Sequence, residues 1–216
     1  MLRTKGTIAM ALIGVISLTG CQSSQIYSGD KNLGMFVAIP HGWKKISQEQ
    51  LHTRELQATT VGAKERAQSV IFQEAYSLDP KTSPAEVFSI KAPQDAIVLL
   101  RSRYLTGDEM NSVSYNWLRD VVFPLTTWLS NPTAKTPQYQ LIDDLENVQN
   151  KARGVRTVYS VVDSDKVSQT ISQTALVSDD RTKIYVLLIR ARTSWYQKNA
   201  SIVSKIAKSF TVRGNK

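Results

Sequence analysis

The chain has 216 residues, a single cysteine, two histidines and a formal net charge of +9. One cysteine rules out an internal disulfide framework, and two histidines with no ligand spacing to each other or to a free thiol leave a zinc site without support. The length suits one domain with a sizeable core, and a basic balance speaks to solubility and non-specific association before it names a partner.

The N-terminus carries an address. A basic start (Arg3, Lys5), an apolar run over residues 8–18 and the ending Leu18-Thr19-Gly20-Cys21 make a secretory signal, too short for a spanning helix. Leu-x-Gly-Cys resembles the lipobox of bacterial lipoproteins, in which the cysteine thiol is diacylated and becomes the new N-terminus after cleavage. On that resemblance residues 1–20 are the signal peptide and Cys21 is the lipidation site, so no thiol is left for chemistry. The competing reading is a retained anchor with Cys21 as an ordinary buried cysteine. Lipid contributes about 0.8 kcal/mol per buried methylene, and more than one chain is needed for stable attachment. The mature chain is expected outside the cytoplasm, lipid-anchored to a bacterial membrane on its periplasmic side or at the cell surface. Cleavage removes two cations, Arg3 and Lys5, and no acid, so +9 becomes +7. Residues 21–32 are polar and rich in turn formers and read as a tether, and 33–213 read as one domain.

Residues 33–39 are a short β-prone run closed by Pro40-His41-Gly42 before Trp43, as a turn requires. Ser47-x-x-Gln50 fits a capping box and predicts a short helix to about residue 56. Residues 68–78, with Val70, Phe72 and Ala75, read as a strand. Ser83-Pro84-Ala85-Glu86 is a second capping box with proline at the first helical position. The run 96–105 is too uniformly apolar for periodicity to decide, and is assigned as a strand. From 108 to 129, Val113, Trp117, Leu118, Val121, Val122, Leu125, Trp128 and Leu129 recur at spacings of three and four, which predicts one long helical face that Pro124 kinks or stops.

The last third predicts an antiparallel meander over 152–162, 167–178 and 183–192, divided by aspartate-rich turns. Thr170, Ser172 and Thr174 alternate with Ile171, Gln173 and Ala175, the pattern of a sheet with one wet face. Ser194 can cap a final helix through residue 208, its apolar side across the meander and Lys198, Lys205 and Lys208 in water.

Phe36-Val37-Ala38-Ile39-Pro40-His41-Gly42-Trp43 near the start, and a meander, a helix and Ile206-Ala207-Lys208-Ser209-Phe210-Thr211-Val212 at the end, resemble the PsbP-like domains of bacterial lipoproteins, a superfamily shared with PsbP, Mog and DcrB-type proteins. The carried-over motifs are the Pro-x-Gly-Trp turn and the Ser-Phe strand. The segment 83–137 is longer and more apolar than the minimal domain. The resemblance implies an α/β (α+β) sandwich, an antiparallel β-sheet with helices packed on its faces, serving as a binding or accessory module. It brings no shared catalytic residues.

No Gly-x-Ser-x-Gly elbow or glycine-rich phosphate loop occurs, and the one Ser-x-x-Lys, Ser28 to Lys31, falls in the expected tether. Asp143-Asp144, Asp163-x-Asp165 and Asp179-Asp180 lack the glycine and distal glutamate of a calcium loop and read as turn aspartates bonded to their own backbone. His41 and Trp43 are the candidate ligand contacts, each weighed against a turn histidine and a core aromatic. No catalytic residue, metal or cofactor is assigned. Two functions stay open. One is a non-enzymatic envelope lipoprotein binding a protein or an anionic envelope component, through the sheet or the 117–129 face. The other is an envelope hydrolase with a dispersed site. No basic run longer than Lys44-Lys45 and no aromatic–arginine pattern points to nucleic acid.

Overall fold

The computed structural model describes residues 25–59 and 62–214, so the signal segment and Cys21 lie outside the described residues. In chain order the elements are β1 (Gln25–Asp30), β2 (Met35–Pro40), β3 (Lys44–Ile46), α1 (Gln48–Leu56), α2 (Ala63–Gln68), β4 (Val70–Ser77), α3 (Pro84–Val87), β5 (Ile97–Tyr104), α4 (Gly107–Ser112), α5 (Tyr115–Arg119), α6 (Leu125–Ser130), β6 (Tyr139–Gln149), β7 (Ala152–Val162), β8 (Ser168–Ser178), β9 (Lys183–Arg192), α7 (Thr193–Lys198), α8 (Ala200–Ser209) and β10 (Thr211–Val212). A seven-stranded sheet runs β3-β4-β5-β9-β8-β7-β6 and a three-stranded sheet runs β1-β2-β10. Neighbouring strands are antiparallel throughout both sheets.

Strand β9 shows why the layers form. Its side chains alternate between faces: Tyr185, Leu187, Ile189 and Ala191 join Met35, Val37 and Ile39 of β2 and Val203 and Ile206 of α8 in one cluster. Ile184, Val186 and Leu188 pack on the opposite face, with residues of α1, α3, α5 and the α5–α6 segment. The main sheet is thus covered on both sides, by the small sheet with α7 and α8 on one face and by α1–α6 on the other. The result is the mixed α+β sandwich expected.

Both capping boxes form. Ser47 Oγ accepts from the Gln50 amide while Gln50 Oε1 accepts from the Ser47 amide. Ser83 and Glu86 repeat the arrangement, with Pro84 in the first turn. The meander falls where the alternation put it, and 96–105 contains β5.

Several expectations are corrected. Residues 25–30 of the expected tether form β1, hydrogen-bonded along β2, because Ile26 and Ser28 alternate and the small Gly29 lets the β2 backbone approach. The single face over 108–129 is three short helices. Val113 is extended, and Ser114 restarts the helix by accepting from the Trp117 amide at 3.2 Å. Pro124 then precedes α6, where Asp120 Oδ1 accepts from the Thr126 amide at 2.8 Å. The final helix divides at Asn199, whose backbone and side-chain amides both donate to the Trp195 carbonyl; Lys198, Lys205 and Lys208 are exposed as expected.

The β8 face read as wet is dry: Thr170, Ser172 and Thr174 are 2% exposed or less. Its hydroxyls find protein partners under α7, with Thr170 donating to Thr193 at 3.0 Å and Arg156 donating to Ser172 at 3.3 Å. Strands β3 and β6 and helix α2 had no sequence assignment.

Candidate functional site

At the centre of the main sheet β5 and β9 pair so that Ile97 lies opposite Arg190, Leu99 opposite Leu188, Arg101 opposite Val186 and Arg103 opposite Ile184. This register lays an apolar floor with guanidiniums at both ends, on the face covered by α1–α6. Above it is a cavity of about 430 Å³, within the size range of small-molecule sites. Arg54 and Glu55 of α1, Ala58 just after it, and Ala63 and Arg66 of α2 wall it on one side, the 87–90 segment walls it from α3 onward, and Val121 and Val122 close it beyond α5. Among the described residues that line it, five are arginines and one is a carboxylate, Glu55.

These arginines differ in how their charge is met. Arg101 Nη1 lies 2.5 Å from Glu55 Oε1, and Gln73 donates to the other carboxylate oxygen at 2.8 Å. Arg103 grips Glu109 with two bonds of 2.6 and 2.7 Å, while the Glu109 carboxylate also receives the Thr106 amide in a capping box. Burial acts to raise the Glu109 pKa, but the Arg103 and Thr106 bonds outweigh it and hold the group below the usual carboxylate range.

Arg190 has no such partner. It is 2% exposed and donates to the backbone carbonyls of Glu86 and Lys91, at 3.1 and 2.9 Å, and to that of Ser89. Among the described residues no carboxylate makes a direct ion pair with it, and the Glu86 carboxylate acts on it at longer range. Burial pulls its guanidinium down to about 10, so it remains a cation at neutral pH. Burial also lowers Arg101, with Glu55 pulling the other way and the like charges of Arg103 and Arg66 adding to the fall. The Nε atoms of Arg101 and Arg190 are buried without hydrogen-bond partners. Buried cations with unused donors are costly unless a counter-charge meets them.

The described lining residues include no histidine, cysteine, aspartate or lysine, and both oxygens of Glu55 are engaged. Guanidiniums hold oxyanions through a planar fork and do not shuttle protons near neutral pH. The arrangement is therefore suited to gripping an anion rather than to acid–base work. No group of three or more metal-ligating side chains occurs among the described residues.

The candidates named from the sequence lie elsewhere. Trp43 is 6% exposed in the core of the opposite face, edge-on to Trp195 with centroids 6.3 Å apart. His41 is exposed in the turn before it, and neither lines the cavity. The 117–129 face is turned inward: Leu118, Phe123 and Leu125 are buried, Trp117, Val121, Val122 and Trp128 pack on the clusters, and Leu129 faces solvent. Asp163 and Asp180 do bond their own turns. Asp144 instead sits on β6, bound by Arg119 through Nε and Nη2 and by the Thr157 hydroxyl.

The five arginines went unnoticed because they are spread from position 54 to 190 with no motif spacing. A local signal exists at three of them: Arg101, Arg103 and Arg190 interrupt mostly apolar, mostly buried strands, where a charge needs a reason.

Fold and site together define an antiparallel α+β sandwich with a basic cavity between its main sheet and its helices. The chain is similar to the solution structure of cyanobacterial PsbP from Synechocystis sp. PCC 6803, at 13% identity and a TM-score of 0.49 over 94% of this chain and 98% of that one. It is similar to LpqN, involved in cell envelope biogenesis of Mycobacterium tuberculosis (12%, TM-score 0.48, 87% and 88% covered). It is also similar to the Saccharomyces cerevisiae Ran-binding protein Mog1p (10%, TM-score 0.46, 88% and 96% covered). No family model matches the chain, and no curated protein matches it in sequence. At such identities no residue role passes from those proteins to this one.

Proposed function

We propose that the chain is a non-enzymatic binding protein of the bacterial envelope, anchored by lipid on Cys21, whose ligand occupies the cavity between the main sheet and α1–α3. The observation that carries this reading is the make-up of the cavity wall: cationic donors over an apolar floor, with no nucleophile beside a base among the lining residues. General acid–base catalysis needs a group that changes charge near the working pH, and this wall offers fixed cations. The anchor rests on Leu18-Thr19-Gly20-Cys21 and the signal before it. Among the described residues no helix is long and apolar enough to cross a membrane. A mature charge of +7, after loss of Arg3 and Lys5 from +9, favours an anionic membrane or envelope surface beneath the domain.

Two measurements test the two halves. Bacteria expressing the chain with a labelled palmitate analogue are expected to place label and protein in the membrane fraction, and Cys21→Ala to lose both; membrane retention of the unlabelled variant would sink the anchor. Native mass spectrometry of the extracted protein is expected to show a bound small molecule that is lost in Val186→Trp, which fills the cavity. Turnover of an envelope extract by the wild type, abolished in Val186→Trp, would replace the binding reading with an enzymatic one.

A further inference from the structure

Resting on the cavity as the ligand site, we infer that it takes a single-chain amphiphile ending in an oxyanion, a carboxylate or a phosphate monoester. The head lies on the guanidiniums of Arg101 and Arg54, and the chain runs over Leu99, Val186 and Leu188 towards Ile90. Charge is the first argument. Five arginines line the cavity and, among the described lining residues, Glu55 is the one carboxylate. At the head end the Nε donor of Arg101 is buried with no acceptor, and at the far end Arg190 donates to backbone carbonyls and feels the Glu86 carboxylate. An oxyanion brought into this space meets charge and donors already in place, and the planar fork of arginine favours carboxylate and phosphate geometry.

The floor supplies the second argument. Between the charged positions of β5 and β9 lie Leu99 opposite Leu188, and Val186 opposite Arg101. A small inorganic anion would leave these aliphatic groups unused. Ile90, 67% exposed at the wall of the cavity, extends the apolar surface outward, which suits a chain entering from a membrane better than a polar metabolite. The lining has one aromatic, Phe88, and lacks the stacking platforms that nucleic-acid bases use.

The test uses the full chain in phosphatidylcholine nanodiscs and two dodecyl probes carrying a diazirine on the chain, one ending in phosphate and one in trimethylammonium. Labelling is normalised to that of the disc lipid. The phosphate probe is expected to label peptides of β5, β9 and the 87–90 segment, and the cationic probe not to. Arg101→Lys keeps the charge beside Glu55 but loses the fork, and should lower labelling about tenfold. Arg54→Gln, at the exposed rim where folding is not at stake, should lower it severalfold. Inorganic phosphate at equal concentration should not compete.

Equal labelling of the cavity by both probes, or indifference to both arginine variants, overturns the oxyanion assignment while leaving the cavity a binding site. Full competition by inorganic phosphate overturns the amphiphile in favour of a small anion. Absence of cavity labelling by either probe, with no bound molecule in native mass spectrometry, removes the binding reading itself.

Discussion

Arg101 of β5 and Glu55 of α1 meet 2.5 Å apart across the gap between sheet and helix, with side chains 17% and 12% exposed. The pair is largely withdrawn from water, and Gln73 of β4 donates to the same carboxylate at 2.8 Å. One ionic contact therefore ties the helix that walls the cavity to the sheet and orients a guanidinium of the cavity lining.

Breaking the pair from one side should be worse than removing it altogether. Glu55→Ala strands Arg101 as a buried cation, and a loss of about 3 kcal/mol in urea unfolding is expected, the lower end for a desolvated pair. Adding Arg101→Met should recover part of that loss, because the stranded charge goes with it. A double-mutant cycle reads the coupling directly; additive losses would show that the two groups do not depend on each other.

Gly154 of β7 sets a second expectation. A Cβ there would come within 2.0 Å of the Ala175 carbonyl oxygen and 3.0 Å of the Leu176 Cα on β8. These are all backbone atoms of β8, which leaves no flexible side chain to give way, as where a strand glycine marks close approach of another backbone. Gly154→Ala should force β7 from β8 and cost several kcal/mol, seen as a large drop in melting temperature or as failure to fold; Gly107→Ala, with open space at its Cβ, should be near neutral.

What could be read from the chain, and what could not, follows from how each element meets solvent. Strand β9 carries an apolar run over both faces from Ile184 to Ile189, and β7, β8 and β9 are divided by aspartate turns, so their positions are written locally. The capping boxes at Ser47 and Ser83 are equally local. Strand β6 escaped because it is a sheet edge: Leu141, Ile142, Leu145 and Val148 are exposed among acids, and the bulge between Leu141 and Asp143 breaks the alternation. The breaks at Ser114 and Asn199 escaped because an apolar period of three to four continues across them. The cavity was hidden for a deeper reason. Arg101, Arg103 and Arg190 become one site only through the β5–β9 register, and that pairing joins segments about eighty positions apart.

Trp43 lies on the far side of the main sheet from the cavity, against Trp195 at an interplanar angle of 83°. Trp43→Ala should cost about 3–5 kcal/mol, as buried aromatics do when truncated, with loss of near-ultraviolet circular dichroism. Trp43→Phe keeps most of the packing and should cost less. Cavity labelling by the phosphate-ended probe should be unchanged in Trp43→Phe; a loss of labelling there would mean that the aromatic takes part in ligand contact.

Asp180 governs part of the acid response. Bonds from the Ser178 hydroxyl and the Thr182 amide and hydroxyl favour its charged form and, against the effect of burial, lower its pKa from 3.8 to about 2. The folded value is depressed, so its stabilising contribution is complete above about pH 4 and disappears as pH falls through about 2. Its side chain is 59% exposed, and solvent screening keeps the effect small. The stability gap between wild type and Asp180→Asn should be constant above pH 5 and narrow steadily between pH 4 and 2. A carboxylate titration followed by NMR should place the midpoint near 2; a midpoint near 4 would mean that the β8–β9 turn does not hold the charged form in solution.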